Sequence, residues 1–130
     1  MKLLLRELSF AVLAWFIPFV MSVCIFHLKR SHPAMFESAM GITLVGSIVG
    51  LGCLYLRRGT SGFVLNGVRI GLTWMMANWL LDGLMFSAGP MRMSLQQYLN
   101  EIAGAYLMIP LITVGLAAAA AQATRARSSS

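Results

Sequence analysis

The chain has 130 residues, of which 58% are hydrophobic and only 11% are charged, and its formal net charge at pH 7 is +6. A small soluble protein of this composition would expose more apolar surface than it could hide, so the composition indicates a membrane protein. The chain has no room for a separate soluble domain. Without a basic helix or an aromatic platform in such a domain, the positive charge does not indicate nucleic-acid binding.

Four apolar runs follow one another along the chain, and each has about the 20 helical residues that cross a hydrocarbon core of about 30 Å. They cover residues 8–26, 39–56, 68–86 and 102–121. Backbone amides in lipid must be paired within their own segment, which favours helices for runs of this length. The sequence therefore predicts an all-α polytopic membrane protein. We expect a four-transmembrane-helix bundle with short connections, forming a single domain over 1–121.

The cations flank these four runs unevenly, and Lys and Arg near membrane segments stay preferentially on the cytoplasmic side. Seven lie on the side of both termini and three on the other side. The seven are Lys2, Arg6, Arg57, Arg58, Arg69, Arg125 and Arg127, and the three are Lys29, Arg30 and Arg92. We therefore expect a multi-pass protein of the inner (plasma) membrane, with the lipid bilayer as its surroundings and both termini in the cytoplasm.

Small residues mark faces for helix packing in the second and third runs. Gly46 and Gly50 form a GxxxG motif, and Gly67 and Gly71 repeat this spacing where the third run begins. Such spacing allows the backbones of neighbouring membrane helices to approach closely. Packing within the chain and self-association both remain open as explanations. The partners expected from the motif are therefore a second copy of the chain or another membrane protein.

The third run carries a polar ridge, because Trp74, Asn78 and Asp82 follow one another at i, i+4 and share one helix face. Asp82 is the one ionisable residue well inside an apolar run, and a carboxylate there is costly unless it faces the bundle interior and has a partner. The candidate partners are Asn78, Tyr106, Arg92, Lys29, Arg30 and His27. A structural hydrogen bond or ion pair, a protonation-linked or ion-binding role, and exposure at the interface all remain open.

Two further segments have distinct patterns. Gly89 and Pro90 predict a turn, and Ser94 followed by Gln97 predicts a capping box that opens a short amphipathic segment over 94–101. Residues 122–130 are polar and basic, and we expect a disordered basic tail there.

The sequence offers no pattern for catalysis, a metal or a cofactor. The membrane region contains no nucleophile and base pair and no cluster of metal ligands, and the two cysteines do not form a CxxC motif. His27 and His32 flank two cations in the first connection, where hydrated side chains are the ordinary case. We therefore expect no catalytic, cofactor-binding or metal-binding residues and no enzyme activity.

Taken together, these residues resemble a family of small prokaryotic four-span integral membrane proteins to which no activity is assigned. The matching positions are Trp15, Ile17, Pro18, Phe19, Phe36, Glu37, Leu56, Arg57, Arg58, Met93, Ser94 and Tyr98, with the stretches 74–82 and 106–110. The resemblance covers nearly the whole chain. It implies the four-span fold and its topology, and it implies nothing about a substrate.

Two functions remain open on the sequence. The first is a non-enzymatic interaction or accessory membrane protein, whose polar ridge and glycine faces pack the bundle or dock a larger partner. The second is a proton- or ion-coupled small transporter or channel in which Asp82 titrates. We expect the second to be an oligomer, because four short helices enclose little space.

Overall fold

The computed structural model describes residues 1–57, 62–88 and 94–129, and every regular element in these ranges is a helix. In chain order these are α1 (Lys2–Cys24), α2 (Leu28–Ser31), α3 (Pro33–Leu56), α4 (Phe63–Ala88), α5 (Leu95–Glu101), a short 3₁₀ helix (Ala103–Leu107) and α6 (Met108–Ser128). The all-α prediction is confirmed for the described residues. The expected turn at Gly89 and Pro90 lies outside them.

Three helical segments are long and apolar enough to cross a membrane: Lys2–Cys24, Pro33–Leu56 and the continuous stretch Ala103–Ser128. They correspond to the first, second and fourth runs expected from the sequence. Helix α4 is 26 residues long and therefore has the length to cross as well. Helix α4 is not among these three segments, because Arg69, Asn78 and Asp82 lower its mean hydropathy below theirs.

Local sequence explains where two of the helices begin. Pro33 opens α3, where the hydrogen bond that proline cannot donate is not needed. Ser94 caps α5, because its hydroxyl oxygen accepts a hydrogen bond from the Gln97 backbone N–H at 3.2 Å. The Gln97 side chain donates to Glu101 at 3.1 Å instead of returning to Ser94, so the reciprocal half of the expected capping box is replaced by a bond within the helix.

The end of α6 differs from the sequence-based expectation. The polar composition predicts a disordered tail from residue 122, whereas α6 continues to Ser128. The run of alanines over 117–121 consists of the strongest helix former. Arg125 and Arg127 lie in the last turn, where cations interact favourably with the negative end of the helix dipole. The helix therefore extends through the tail because no residue there breaks it.

The four long helices pack side by side. Helix α4 lies against α1 and α6, and α3 lies against the same two helices. The buried core between them consists mainly of Ala11, Ala14, Leu44, Ile48, Leu51, Tyr55, Ile70, Trp74, Met75, Ile109 and Ala117. Each helix therefore contributes one face to a shared interior.

The two ends of this helix assembly are distinct. At one end, Arg6 near the start of α1 bonds to Tyr55 near the end of α3. The start of α4 and the end of α6 line a shallow, open groove that includes Phe63 and Arg125. Both chain termini therefore lie at this end, which we call the termini end. The opposite end, where Asp82 of α4 lies, is called the far end.

The surface of the helix assembly is apolar, whereas its interior contains polar groups. Glu7, Asn78, Asp82 and Thr113 are buried, while large apolar side chains are exposed along every long helix. Soluble proteins rarely bury carboxylates and place such side chains mostly inside. This reversed distribution, together with the three apolar helices, indicates a membrane-embedded protein.

Candidate functional site

Asp82 lies on α4 at the far end, with its side chain turned into the helix assembly and only 6% of it exposed. Three neutral donors bond to it. The Trp15 indole N–H donates to Oδ1 at 2.7 Å, and the Tyr106 and Tyr98 hydroxyls donate to Oδ2 at 2.7 and 3.2 Å. We call these four residues the Asp82 cluster. Exposure at the interface, one of the options open on the sequence, does not describe the position of this carboxylate.

The Asp82 cluster joins elements that are far apart along the chain. Trp15 comes from α1, Tyr98 from α5 and Tyr106 from the 3₁₀ helix, so one side chain of α4 fixes three other elements. Hydrogen bonds to an ionised acceptor are about twice as strong as bonds between neutral groups. The chemistry of the cluster is therefore well suited to holding helix positions.

Tyr98 enters the cluster from the short helix α5. Burial, and then the charge of the neighbouring Asp82 carboxylate, raise the pKa of the Tyr98 phenol above its ordinary value. The phenol therefore keeps its proton at neutral pH and remains a hydrogen-bond donor. Behind it, the Phe86 ring lies 5.5 Å from the Tyr98 ring, centroid to centroid, and helps to fix its position.

Only one of the partners predicted for Asp82 bonds to it among the described residues. Tyr106 is in contact, as the sequence suggested, whereas Asn78 bonds elsewhere. No cation among the described residues lies within ion-pair distance of Asp82, and this includes Lys29, Arg30 and His27. Arg92 lies outside the described residues. Trp15 was not expected as a partner. The sequence contains no signal for it, because Trp15 lies seven residues after the start of the first run and Asp82 lies fourteen residues after the start of the third.

Asn78 and Trp74 lie on the same buried face of α4 as Asp82, and neither side chain is exposed at all. The Asn78 Nδ2 group donates to the Trp74 carbonyl oxygen at 2.8 Å. The Oδ1 atom of Asn78 and the Nε1 atom of Trp74 have no hydrogen-bond partner in the described part of the chain. The polar ridge expected from the sequence therefore exists as a buried face, but only its Asp82 end is fully hydrogen-bonded.

A second polar cluster lies at the termini end, and the sequence did not predict it. Glu7 on α1 is 5% exposed and forms an ion pair with Arg69 of α4. The Tyr55 hydroxyl of α3 donates to Glu7 Oε1 at 3.0 Å. Arg6 donates to the Tyr55 carbonyl oxygen at 2.7 Å, and its guanidinium carbon lies 4.2 Å from the centre of the Tyr55 ring. These four residues are called the Glu7 cluster.

The sequence does not predict the Glu7 cluster, because the first apolar run begins at residue 8 and leaves Glu7 outside it. Helix α1 begins at Lys2, so Glu7 lies inside it, on the side that faces α3 and α4. Two features of the sequence were available as a signal. Glu7 is an acid among inner-side cations, and Arg69 is the second residue of the third run, at the same side of the membrane.

The glycine faces of α3 and α4 have different surroundings. At Gly67, an added Cβ would lie 2.8 Å from the Thr113 carbonyl oxygen, and at Gly71 it would lie 2.7 Å from the Pro110 Cα. These glycines therefore allow α4 and α6 to pack backbone against backbone. An added Cβ at Gly46 or Gly50 would meet nothing within 4 Å, so this pair lies on an open face of α3.

Metal-ion geometry and similarity to known proteins are two further sources of functional information. The described residues contain no group of three His, Cys, Asp or Glu side chains arranged to hold a metal ion. Comparison of the chain with protein-family models, with curated proteins and with solved structures gives no match. Proposals about function therefore rest on the two clusters, the glycine faces and the apolar surface.

Proposed function

We propose that this chain is a small four-span integral membrane protein with a non-enzymatic accessory role, acting through contacts with other membrane helices. The observation that carries the proposal is the Asp82 cluster. All three of its bonds join helices of the same chain, and both carboxylate oxygens are used in doing so. A carboxylate used in this way fits a rigid helix assembly that presents its outer faces to partners.

The distribution of side chains on α4 supports a fourth membrane span. Its 26 residues extend over about 39 Å at 1.5 Å per residue, more than a hydrocarbon core requires. The exposed residues Leu65, Leu72, Met76, Leu80 and Leu84 form an apolar stripe on one side of the helix. The polar ridge lies on the other side. With Asn78 and Asp82 buried and Arg69 near its start, α4 presents lipid with an apolar surface over most of its length, as a transmembrane helix does.

The proposed topology keeps both termini in the cytoplasm, and membership of the small prokaryotic four-span family is part of the same proposal. Two of the cations that support the topology, Arg58 and Arg92, lie outside the described residues. Reporter fusions after Ser129 and in the connection near Ser31 test it in intact cells. A reporter enzyme that works only in the cytoplasm should be active after Ser129 and inactive near Ser31. A reporter enzyme that works only outside the cytoplasm should be active near Ser31 and inactive after Ser129. The opposite pattern would overturn the topology.

The open face around Gly46 and Gly50 is the proposed contact surface. GxxxG faces bring membrane helices together by allowing close backbone contact, and outside the adjoining backbone of α3 no atom of the described residues lies within 4 Å of a Cβ placed at Gly46 or Gly50. A second copy of the chain and a different membrane protein are the two kinds of partner that fit. The face is apolar and lies along a helix, so the partner surface is expected to be another transmembrane helix.

The test is a double substitution, Gly46→Ile with Gly50→Ile, in a protein carrying two distinguishable tags. Chemical crosslinking in membranes then shows whether copies associate with each other or with another protein. Gly115→Ile is the matched control, because a Cβ at Gly115 also meets nothing within 4 Å but lies on α6. We expect the double variant to lose its crosslinks and the control to keep them. Loss in both variants, or in neither, would contradict a role for this face.

A proton- or ion-coupled transporter is the second candidate, and one observation favours it. The buried face of α4 carries polar groups at Trp74, Asn78 and Asp82, and the first two have unpartnered atoms. A line of polar groups inside a membrane protein is typical of ion and proton pathways. In this alternative, Asp82 would take up and release a proton during transport.

Proton flux into liposomes that contain the purified protein separates the two candidates. If Asp82 couples transport, Asp82→Asn abolishes a flux that the unchanged protein shows, while the variant remains folded. If Asp82 is structural, neither protein conducts protons and the variant unfolds at a lower temperature. Met76→Leu, on the exposed side of α4, serves as the control for handling of the liposomes.

A further inference from the structure

Two unpartnered polar atoms lie in the most enclosed part of the helix assembly. Trp74 and Asn78 are both 0% exposed, and the Nε1 atom of the first and the Oδ1 atom of the second have no hydrogen-bond partner in the described part of the chain. The large majority of buried side-chain polar atoms in proteins are paired, either with protein or with an ordered water molecule. Two such atoms on one helix therefore call for an explanation.

The orientation of the Asn78 amide is fixed by its surroundings. Its Nδ2 group lies 2.8 Å from the Trp74 carbonyl oxygen, which can only accept a hydrogen bond. Rotating the amide by half a turn would place two acceptor oxygens against each other. The unpartnered atom of Asn78 is therefore a hydrogen-bond acceptor, whereas the unpartnered atom of Trp74 is a donor.

The Trp74 indole is also held in place. The Phe10 ring stacks at 6.1 Å from it, and the Tyr55 ring meets it edge-on at 6.2 Å, centroid to centroid. The indole cannot turn toward another acceptor without disturbing both rings. Its N–H group is therefore held without an acceptor from the described residues.

The donor and the acceptor belong to residues one turn apart on the same buried face of α4. Residues at i and i+4 on a helix are neighbours, with their Cβ atoms about 5–6 Å apart. A molecule that accepts one hydrogen bond and donates another, each of about 2.9 Å, can bridge a donor and an acceptor on neighbouring turns. Water has this combination of groups and the smallest size, and buried waters typically bond to two to four polar atoms.

We propose that the interior of the helix assembly contains a binding site for water at Trp74 and Asn78. The bound water accepts a hydrogen bond from the Trp74 indole N–H and donates one to the Asn78 amide oxygen. The site lies between the Asp82 cluster at the far end and the Glu7 cluster at the termini end. It rests on the two unpartnered atoms alone and does not depend on the proposed accessory role.

The three tryptophans of the chain provide an internal comparison for the test. The Trp15 indole N–H donates to Asp82 and the Trp79 indole N–H donates to the Ala103 carbonyl oxygen at 3.3 Å, so both have protein acceptors. The full chain is labelled with ¹⁵N-tryptophan and placed in lipid nanodiscs. Nuclear magnetic resonance then measures the transfer of magnetisation from water to each indole N–H, and single Trp→Phe substitutions assign the three signals.

We expect transfer from water to the Trp74 indole N–H that is several-fold stronger than to the Trp15 indole N–H, which is hydrogen-bonded to a buried carboxylate. Asn78→Leu, which removes the acceptor, should reduce the Trp74 signal to the Trp15 level. Met76→Leu, on the exposed side of the same helix, should leave it unchanged. An unchanged Trp15 chemical shift shows that each variant is folded.

Two results would overturn the proposal. The first is equal transfer of magnetisation from water to the Trp74 and Trp15 indole N–H groups in the unsubstituted protein. This comparison does not depend on the folding of any variant. The second is a Trp74 signal that is as strong in Asn78→Leu as in the unsubstituted protein, because the water would then not be shared with Asn78.

Discussion

The Asp82 cluster gives the sharpest prediction about stability. Tyr106→Phe removes the hydroxyl that donates to Asp82 Oδ2 at 2.7 Å and leaves the ring in place. Interhelical hydrogen bonds in membrane proteins contribute about 0.6 kcal/mol on average and up to about 1.7 kcal/mol. This bond is short, buried and made to a carboxylate, so we expect a loss of about 1–1.5 kcal/mol. Tyr98→Phe, which removes a bond of 3.2 Å to the same oxygen, should cost about 0.5 kcal/mol.

A double-mutant cycle with Asp82→Leu shows whether this cost arises from the carboxylate. Once Asp82 is replaced by leucine, the Tyr106 hydroxyl has lost its acceptor, and its removal should cost nothing or stabilise the protein. Unfolding in mixed micelles of mild detergent and dodecyl sulfate, followed by circular dichroism, gives the four free energies. An equal cost of Tyr106→Phe in both backgrounds would refute the argument, because the hydroxyl would then act independently of Asp82.

The packing of α4 and the Glu7 cluster lead to two more predictions. Gly71→Ala should destabilise the protein by about 1–3 kcal/mol, since its new methyl group meets the backbone of α6. Gly115→Ala should not destabilise it, because a Cβ there meets nothing within 4 Å. Thermal unfolding of both variants measures the difference, and equal melting temperatures would contradict close packing of α4 against α6. Glu7→Ala should lower the free energy of unfolding by roughly 1–3 kcal/mol in the same assay, because it leaves Arg69 without its carboxylate partner. The expected loss is moderate because the Arg69 side chain is 47% exposed and is therefore partly solvated. Arg69→Ala should reduce the cost of a further Glu7→Ala substitution, and strictly additive effects would show that the ion pair does not contribute.

The outcome for the polar residues shows where sequence reasoning was sufficient. Asp82 was identified because a carboxylate in an apolar run must find a partner, and this rule requires no tertiary structure. The identity of its partners could be narrowed only in part. Tyr106 was among the candidates, whereas Trp15 and Tyr98 were not, since a hydrogen bond between α1 and α4 depends on how the two helices are placed and rotated.

The Glu7 cluster illustrates the opposite case. The sequence predicts an interfacial position for Glu7, because hydropathy gives no reason to extend the first helix over Lys2 and Arg6. Burial of Glu7 depends on Tyr55 and Arg69, which lie 48 and 62 residues away along the chain. The two glycine pairs also look alike in the sequence, since both have the spacing of a GxxxG motif. Only the placement of α6 shows that Gly67 and Gly71 are packed whereas Gly46 and Gly50 are open.

The sequence by itself determined that the chain is helical and rich in apolar residues, and it placed the runs from which the long helices form. These properties follow from composition and local periodicity, which are encoded residue by residue. The tertiary structure decided which polar groups meet, which glycines are covered and which faces remain open. Those outcomes depend on the relative position and rotation of helices, and that information is carried by contacts between residues far apart in the sequence.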